Sequence, residues 1–196
     1  MRDIQRFAGV NAPAVTRLAR AAADTVPDPS VQNLAVVVKE LSAGRWREER
    51  YAAFRVAERW RAWRWLEALP VFESMIQQGQ WWDVVDAVAG RLIGPQLLLH
   101  PQLRHRVFGY IHSPDLWFRR TALLTQLKFK QETDTQVLAV MIELAAADPD
   151  FFIRKAIGWA LREYAKTNPT WVRRFVQQHR QALSPLSRKE ALRNLG

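Results

Sequence analysis

"DFFIRKAIGWA", residues 150–160, decides the fold, because the chain spells the same pattern three times before it. "RWREERYAAFR" from 45, "QWWDVVDAVAG" from 80 and "DLWFRRTALLT" from 115 align with it without a gap, each starting 35 residues after the last. An aromatic or Leu holds the second place throughout: Trp46, Trp81, Leu116 and Phe151. Asp115 and Asp150 stand where a side-chain oxygen takes the free N–H groups of a helix start, so both are expected N-caps. Each stretch opens one helix, and a second fits in the following gap, over 101–112, 133–146 or 169–182. Helix pairs recurring every ~35–45 residues are the mark of an α-solenoid. The expected fold is all-α: a HEAT/armadillo-like solenoid of tandem helical repeats, one domain over 1–196, whose equivalent helices line a concave basic groove.

The rest of the chain agrees. Ten prolines punctuate segments rich in Ala, Leu, Arg and Glu, the good helix formers. Apolar residues recur at three and four in "VQNLAVVVKEL", "TQVLAVMIELAAA" and "WVRRFVQQH". Glycines number only eight and no turn signal separates alternating strands, which gives about ten helices. With 196 residues, nearly half of them hydrophobic, a real core is expected and disorder is not. There is no cysteine, and the four histidines (100, 105, 112 and 179) form no ligand pair, so neither a metal nor another cofactor is expected. The start, "MRDIQRFAGVNAP", lacks the apolar run of a signal peptide. No stretch approaches the ~20 apolar residues of a membrane span. These features lead to the expectation of a soluble cytoplasmic protein.

Charge narrows the function. The net charge is +10 and the pI about 10.8. Residues 1–100 carry 13 Lys/Arg against 11 Asp/Glu, whereas residues 101–196 carry 16 against 8. A localised excess of cations suits a polyanion, most commonly nucleic acid. A basic surface that serves only solubility is the plain alternative.

Turned at 100° per residue, the helix from Asp150 puts Ile157, Leu161, Tyr164 and Ala165 on a core stripe, with Lys155, Arg162 and Lys166 opposite. Trp159 falls among those cations. It is either a second packing contact with a neighbouring repeat or an aromatic offered to nucleic acid. On the helix from Trp81, Val85, Val88 and Leu92 form the apolar stripe. Trp82 and Asp86 share the adjoining face with Ala89, Gly90 and Ile93, so little bulk stands over the carboxylate. Asp86 is then a structural acid bonded to an arginine or a carboxylate kept for a ligand. In "LWFRRTALLTQLKFK", Arg119 is a further candidate cation. Arg120 lies between Leu124 and Leu127, where a guanidinium either snorkels out or aims at a partner. No phosphate loop, dinucleotide fingerprint or Ser/His nucleophile pair is present.

"GQWWDVVDAVAGRLIG", "LWFRRTALLTQLKFK", "FFIRKAIGWALREYAKTNP" and "LSRKEAL" resemble the DNA alkylation repair glycosylases of the AlkD type, over about residues 7–194. The resemblance implies a HEAT-like fold and a monofunctional DNA glycosylase of base excision repair. Such an enzyme hydrolyses the N-glycosidic bond of alkylated purines, chiefly N7-alkylguanine and N3-alkyladenine, without flipping the lesion into a pocket. It also implies two tryptophans and an aspartate against the lesion's deoxyribose and an arginine on the backbone, which map here to Trp82, Trp159, Asp86 and Arg120. Double-stranded DNA is the implied partner; the C-terminal excess of cations makes Lys155, Arg162, Lys166 and Arg119 the expected phosphate contacts, and a nucleoid-associated monomer is the expected state. Typical members carry a further N-terminal helical segment before the part matched by "RFAGVNAPAVTRLAR". A DNA-structure binder with little activity and a protein–protein scaffold are the readings from other classes. A basic face disfavours the scaffold.

Overall fold

The computed structural model describes residues 5–195. It is 74% helical, and the described residues form no strand. The chain divides into two compact units, Met1–Pro101 and Gln102–Gly196. No helix among the described residues is long and apolar enough to cross a membrane.

The first unit is built from α1 (Ala12–Ala23), α2 (Val31–Ala43), α3 (Arg47–Arg59), α4 (Leu69–Gly79), α5 (Trp82–Val88) and α6 (Gly94–Leu99). Local chemistry fixes the starts. Asn11 accepts the N–H of Ala14, and Ser30 and Asn33 cap α2 reciprocally. α1 buries only Val15, Ala19 and Ala23, a stripe at four-residue spacing that packs beside α3 and leaves its other face outward. In the second unit lie α7 (Arg104–Phe108), α8 (Leu116–Leu124), α9 (Thr135–Ala145), α10 (Phe151–Ala165), α11 (Pro169–Gln178) and α12 (Pro185–Leu192). Ile153, Ile157 and Leu161 on α10 are essentially inaccessible. Each such side chain stabilises the unit by roughly 1.5–3 kcal/mol relative to exposure.

The repeat is real at the level of helix starts. Trp46, Trp81, Asp115 and Asp150 occupy the N-cap positions of α3, α5, α8 and α10. Asp115 and Asp150 act as the sequence predicts, accepting from Trp117 N at 2.7 Å and Phe152 N at 2.6 Å. Tryptophan cannot do this, and at α3 Glu49 reaches back to the Trp46 N–H instead, at 2.6 Å.

Two expectations change. The segment 101–112 is not one helix: α7 lies between 3-10 turns at Pro101–Leu103 and Gly109–His112. Only Val107, Tyr110 and Ile111 are buried there, too short a stripe to hold a long amphipathic helix. Nor is the helix from Trp82 regular. Between α5 and α6 runs a π-helical turn, Ala89–Ile93, in which the Gly94 N–H reaches Ala89 O. Pro95 explains it. A proline inside a continuous helix has no N–H for the carbonyl four residues back and clashes with it, and one widened turn relieves both.

Candidate functional site

Trp82 and Asp86 stand one turn apart on α5. Trp82, the first residue of the helix, is 45% exposed, an unusual position for the largest side chain, and Asp86 is half-buried. Beyond them the face sinks inward: Ala89, Gly90 and Ile93 are all buried. The π turn rotates the helix out of its regular phase just past Asp86, so a constant 100° step does not hold beyond Ala89.

Its neighbour Asp83 has a different task. Arg47 on α3, only 1% exposed, pairs with the Asp83 carboxylate and donates through Nη1 to Gly79 O at 2.6 Å. The Tyr51 hydroxyl donates to the same carboxylate. Burial and then Asp83 push the Tyr51 phenol up to about 12. One buried guanidinium thus ties the end of α4 to the first turn of α5. Sequence reading missed Arg47, Tyr51 and Asp83 as a set. Arg47 and Asp83 are 36 residues apart, one repeat, and asking which side chains meet across consecutive repeats would have paired them.

The second unit carries the other candidates. Arg120 neither snorkels out nor stands open. It is 5% exposed, and its Nη1 donates to Phe152 O on the first turn of α10, at 2.5 Å. Leu124 at the end of the same helix and Leu127 just beyond it are buried too, and the Arg120 head is bonded inside the protein. Trp159 is half-buried on α10. The residue before it, Gly158, lets α12 approach closely: a Cβ there would lie 2.5 Å from Glu190 Cβ and 2.9 Å from Ser187 O.

The cations expected on phosphates all have protein partners. Lys155 Nζ and Arg162 Nη1 share the Glu190 carboxylate, at 2.8 and 2.5 Å. Lys155, foremost, and Arg162 hold the Glu190 carboxyl below the ordinary glutamate value against the opposing effect of burial. Arg119 pairs with Asp148 at 3.0 Å and donates to Ser113 O and Pro114 O. Lys166 meets Glu163 at 2.7 Å. Lys155, Arg162 and Lys166 remain partly exposed and keep unused donors.

In the first unit a second carboxylate is held by the backbone. Glu48, nearly buried, accepts from the N–H groups of Ala8, Gly9 and Val10 at 2.9–3.2 Å. Gly9 has φ +87°, which a residue with a side chain rarely adopts. Burial works to raise the Glu48 carboxyl, and the backbone N–H groups outweigh it, so it lies below the ordinary value.

Helix starts that recur about every 35 residues define an all-helical protein built on a repeat. The model of the DNA alkylation repair enzyme family matches residues 1–195, and the chain belongs to that family. Among solved structures, a predicted DNA alkylation repair enzyme from Enterococcus faecalis is 31% identical, with a TM-score of 0.87 over 97% of this chain and 88% of that one. No curated protein matches.

Proposed function

We propose that the protein is a monofunctional DNA glycosylase that hydrolyses the N-glycosidic bond of N-alkylated, cationic purines such as N7-methylguanine and N3-methyladenine in duplex DNA. The observation that carries this reading is the exposure of Trp82 beside Asp86 on one helix face, in a chain of this family. An alkylated ring nitrogen already makes the base a good leaving group. The C1′–N bond breaks, its electron pair goes to the base, and the base departs neutral. Positive charge develops on the sugar, where the Asp86 carboxylate stabilises it and orients the water that adds at C1′ and loses its proton to solvent. The indole face of Trp82 adds cation–π attraction to the same charge, and Trp159 offers a second indole to the DNA from α10. Arg120 acts from inside the protein, by holding the first turn of α10 through Phe152 O, and Arg119, Lys155, Arg162 and Lys166 supply positive potential for phosphates. A neutral purine leaves far more slowly, so the lesion's own charge provides the selectivity.

The test is incubation of the protein with duplex DNA carrying a single N7-methylguanine. Release of free N7-methylguanine, leaving an abasic site and no strand break, is the expected result. Binding without release would refute the glycosylase reading and leave a DNA-binding protein.

A further inference from the structure

A cleft of about 710 Å³ opens on the first unit between α1 and α3. Arg17, Arg20 and Arg55 stand around it, and its α1 wall is otherwise made of small residues such as Ala12, Thr16 and Ala21. On α1 the positions 13, 16, 17, 20, 21 and 24 fall at three- and four-residue spacing on one face, away from the buried stripe of Val15, Ala19 and Ala23. Arg17 and Arg20 are exposed, and their guanidinium groups make no ion pair or hydrogen bond among the described residues. The acids nearby are already committed. Asp24 takes two hydrogen bonds from Arg59, at 2.6 and 3.1 Å, and Glu58 is shared by Arg55 and Arg91. Five guanidiniums therefore face two carboxylates.

The cleft also leads somewhere. A second hollow of about 300 Å³ shares Ala12, Thr16 and Arg55 with it and continues to Asp83, Ala87 and Arg91. Asp83 and Ala87 lie on α5, the helix that carries Trp82 and Asp86, and Arg91 lies on the π turn that follows it. The cleft therefore borders a hollow that reaches the element bearing the candidate catalytic pair, with Arg55 and Arg91 on its lining and Asp83 already bonded to Arg47.

We infer that the α1–α3 cleft binds the phosphodiester backbone of duplex DNA, with Arg17 and Arg20 as its phosphate contacts. The inference rests on the proposed action on DNA and locates part of the grip in the half of the chain whose overall charge is nearly balanced. Guanidinium suits this task because its fork of N–H groups bonds phosphate oxygens in pairs. Neither arginine gives up a bonded ion pair on binding, Arg20 acting on Asp24 only through its field, whereas Lys155, Arg162 and Arg119 each hold a carboxylate. An acidic protein segment is the competing occupant. The small, largely featureless α1 wall offers such a segment no apolar anchor, while a phosphate chain needs none.

The experiment titrates labelled undamaged duplex with the wild-type protein and with an R17Q/R20Q double variant, across a range of salt. K39Q/R61Q, which removes two exposed cations outside both clefts, is the charge-matched control. Each phosphate contact contributes a log–log salt slope of about −0.9, so losing two should flatten the slope by about 1.8 and weaken binding by roughly one to two decades at 0.1 M salt. The control should keep most of the wild-type slope, and both variants should keep the wild-type melting temperature. A double variant that binds like wild type, or a control that loses as much, overturns the assignment. So does competition by poly-glutamate as effective as that by DNA of equal charge. A wild-type protein that binds no DNA defeats the proposed function itself, a result distinct from wild type binding well and R17Q/R20Q binding equally well.

Discussion

Two aspartates three residues apart on one helix should fail in opposite ways. Asp83→Asn removes the charge that neutralises Arg47 and leaves a guanidinium 1% exposed without its counterion. The amide oxygen can still accept from Tyr51, so the lesion is chiefly electrostatic. Breaking a buried ion pair costs about 3–5 kcal/mol. Asp83 is itself 13% exposed and water softens the loss, which points to the lower end, about 3 kcal/mol. For a chain of this length that is a fall in melting temperature of about 6–12 °C. Asp86→Asn removes a half-buried charge and should cost less than half that shift. Its effect belongs to the chemistry: release of N7-methylguanine per folded molecule should drop by roughly 10²-fold or more, the scale of losing one electrostatic stabiliser. Differential scanning fluorimetry and single-turnover base release on both variants make the comparison. Equal melting shifts for the two would refute the division of labour. Base release that survives Asp86→Asn would remove the carboxylate from the mechanism.

Two further outcomes are expected. Gly158→Ala should be destabilising although alanine is the better helix former, because the new Cβ meets Ser187 O, a backbone atom, at 2.9 Å. An overpacking cost of ~1–3 kcal/mol less a propensity gain of ~1 leaves a loss of up to about 2 kcal/mol, and a rise in the urea midpoint would contradict the close approach of α12. Glu48 has a depressed pKa in the folded protein, so its contribution is complete above the unfolded value of 4.5 and is lost as pH falls through the folded one. Hydrogen exchange at Ala8, Gly9 and Val10 should therefore accelerate, beyond its intrinsic pH dependence, below about pH 4.5. Glu48→Gln should show that loosened state at neutral pH, and unchanged protection in this variant would show that the segment is held by other means.

The helix starts were legible because they are local events. An N-cap needs one side chain and the next turn, and the 35-residue recurrence of such starts carries the fold class with it. The core stripe of α10 followed from spacing alone, and Ile157, Leu161 and Ala165 are all buried. Tyr164 belongs to that stripe only in part: it is half-buried and meets Trp171 edge-on, with ring centroids 5.4 Å apart. What could not be read is what spans a repeat. Glu190 claims Lys155 and Arg162 from 35 and 28 residues away, so a count of charges in the C-terminal half overstated how many were unpaired. The π turn was foreshadowed by the pair Gly94–Pro95, but its consequence, a change of phase just past Asp86, requires coordinates. Arg120 shows the same limit: its place beside an apolar stripe was read correctly, while Phe152 O, the acceptor that lets it stay inside, lies 32 residues on.

Helix α5 reconciles two demands that usually conflict. A side chain that must act on a transient positive charge has to be held rigidly, since reorganising a dipole or carboxylate during the reaction wastes its field. A side chain that must reach DNA has to be exposed, and exposure usually brings mobility. Here the rigidity is supplied from other faces of the same helix. Val84, Val85 and Val88 are buried, and Arg47 fixes the first turn through Asp83 while gripping the preceding helix at Gly79 O. Trp82 and Asp86 sit between these anchors on a helix of only seven α-helical residues before the π turn. The helix continues through the π turn into α6, but one interrupted by a widened turn and a proline gains little stability by itself in water. Its persistence comes from the anchors. Loosening Arg47 should therefore disturb Trp82 and Asp86 together, even though Arg47 itself is too deeply buried to meet a DNA strand.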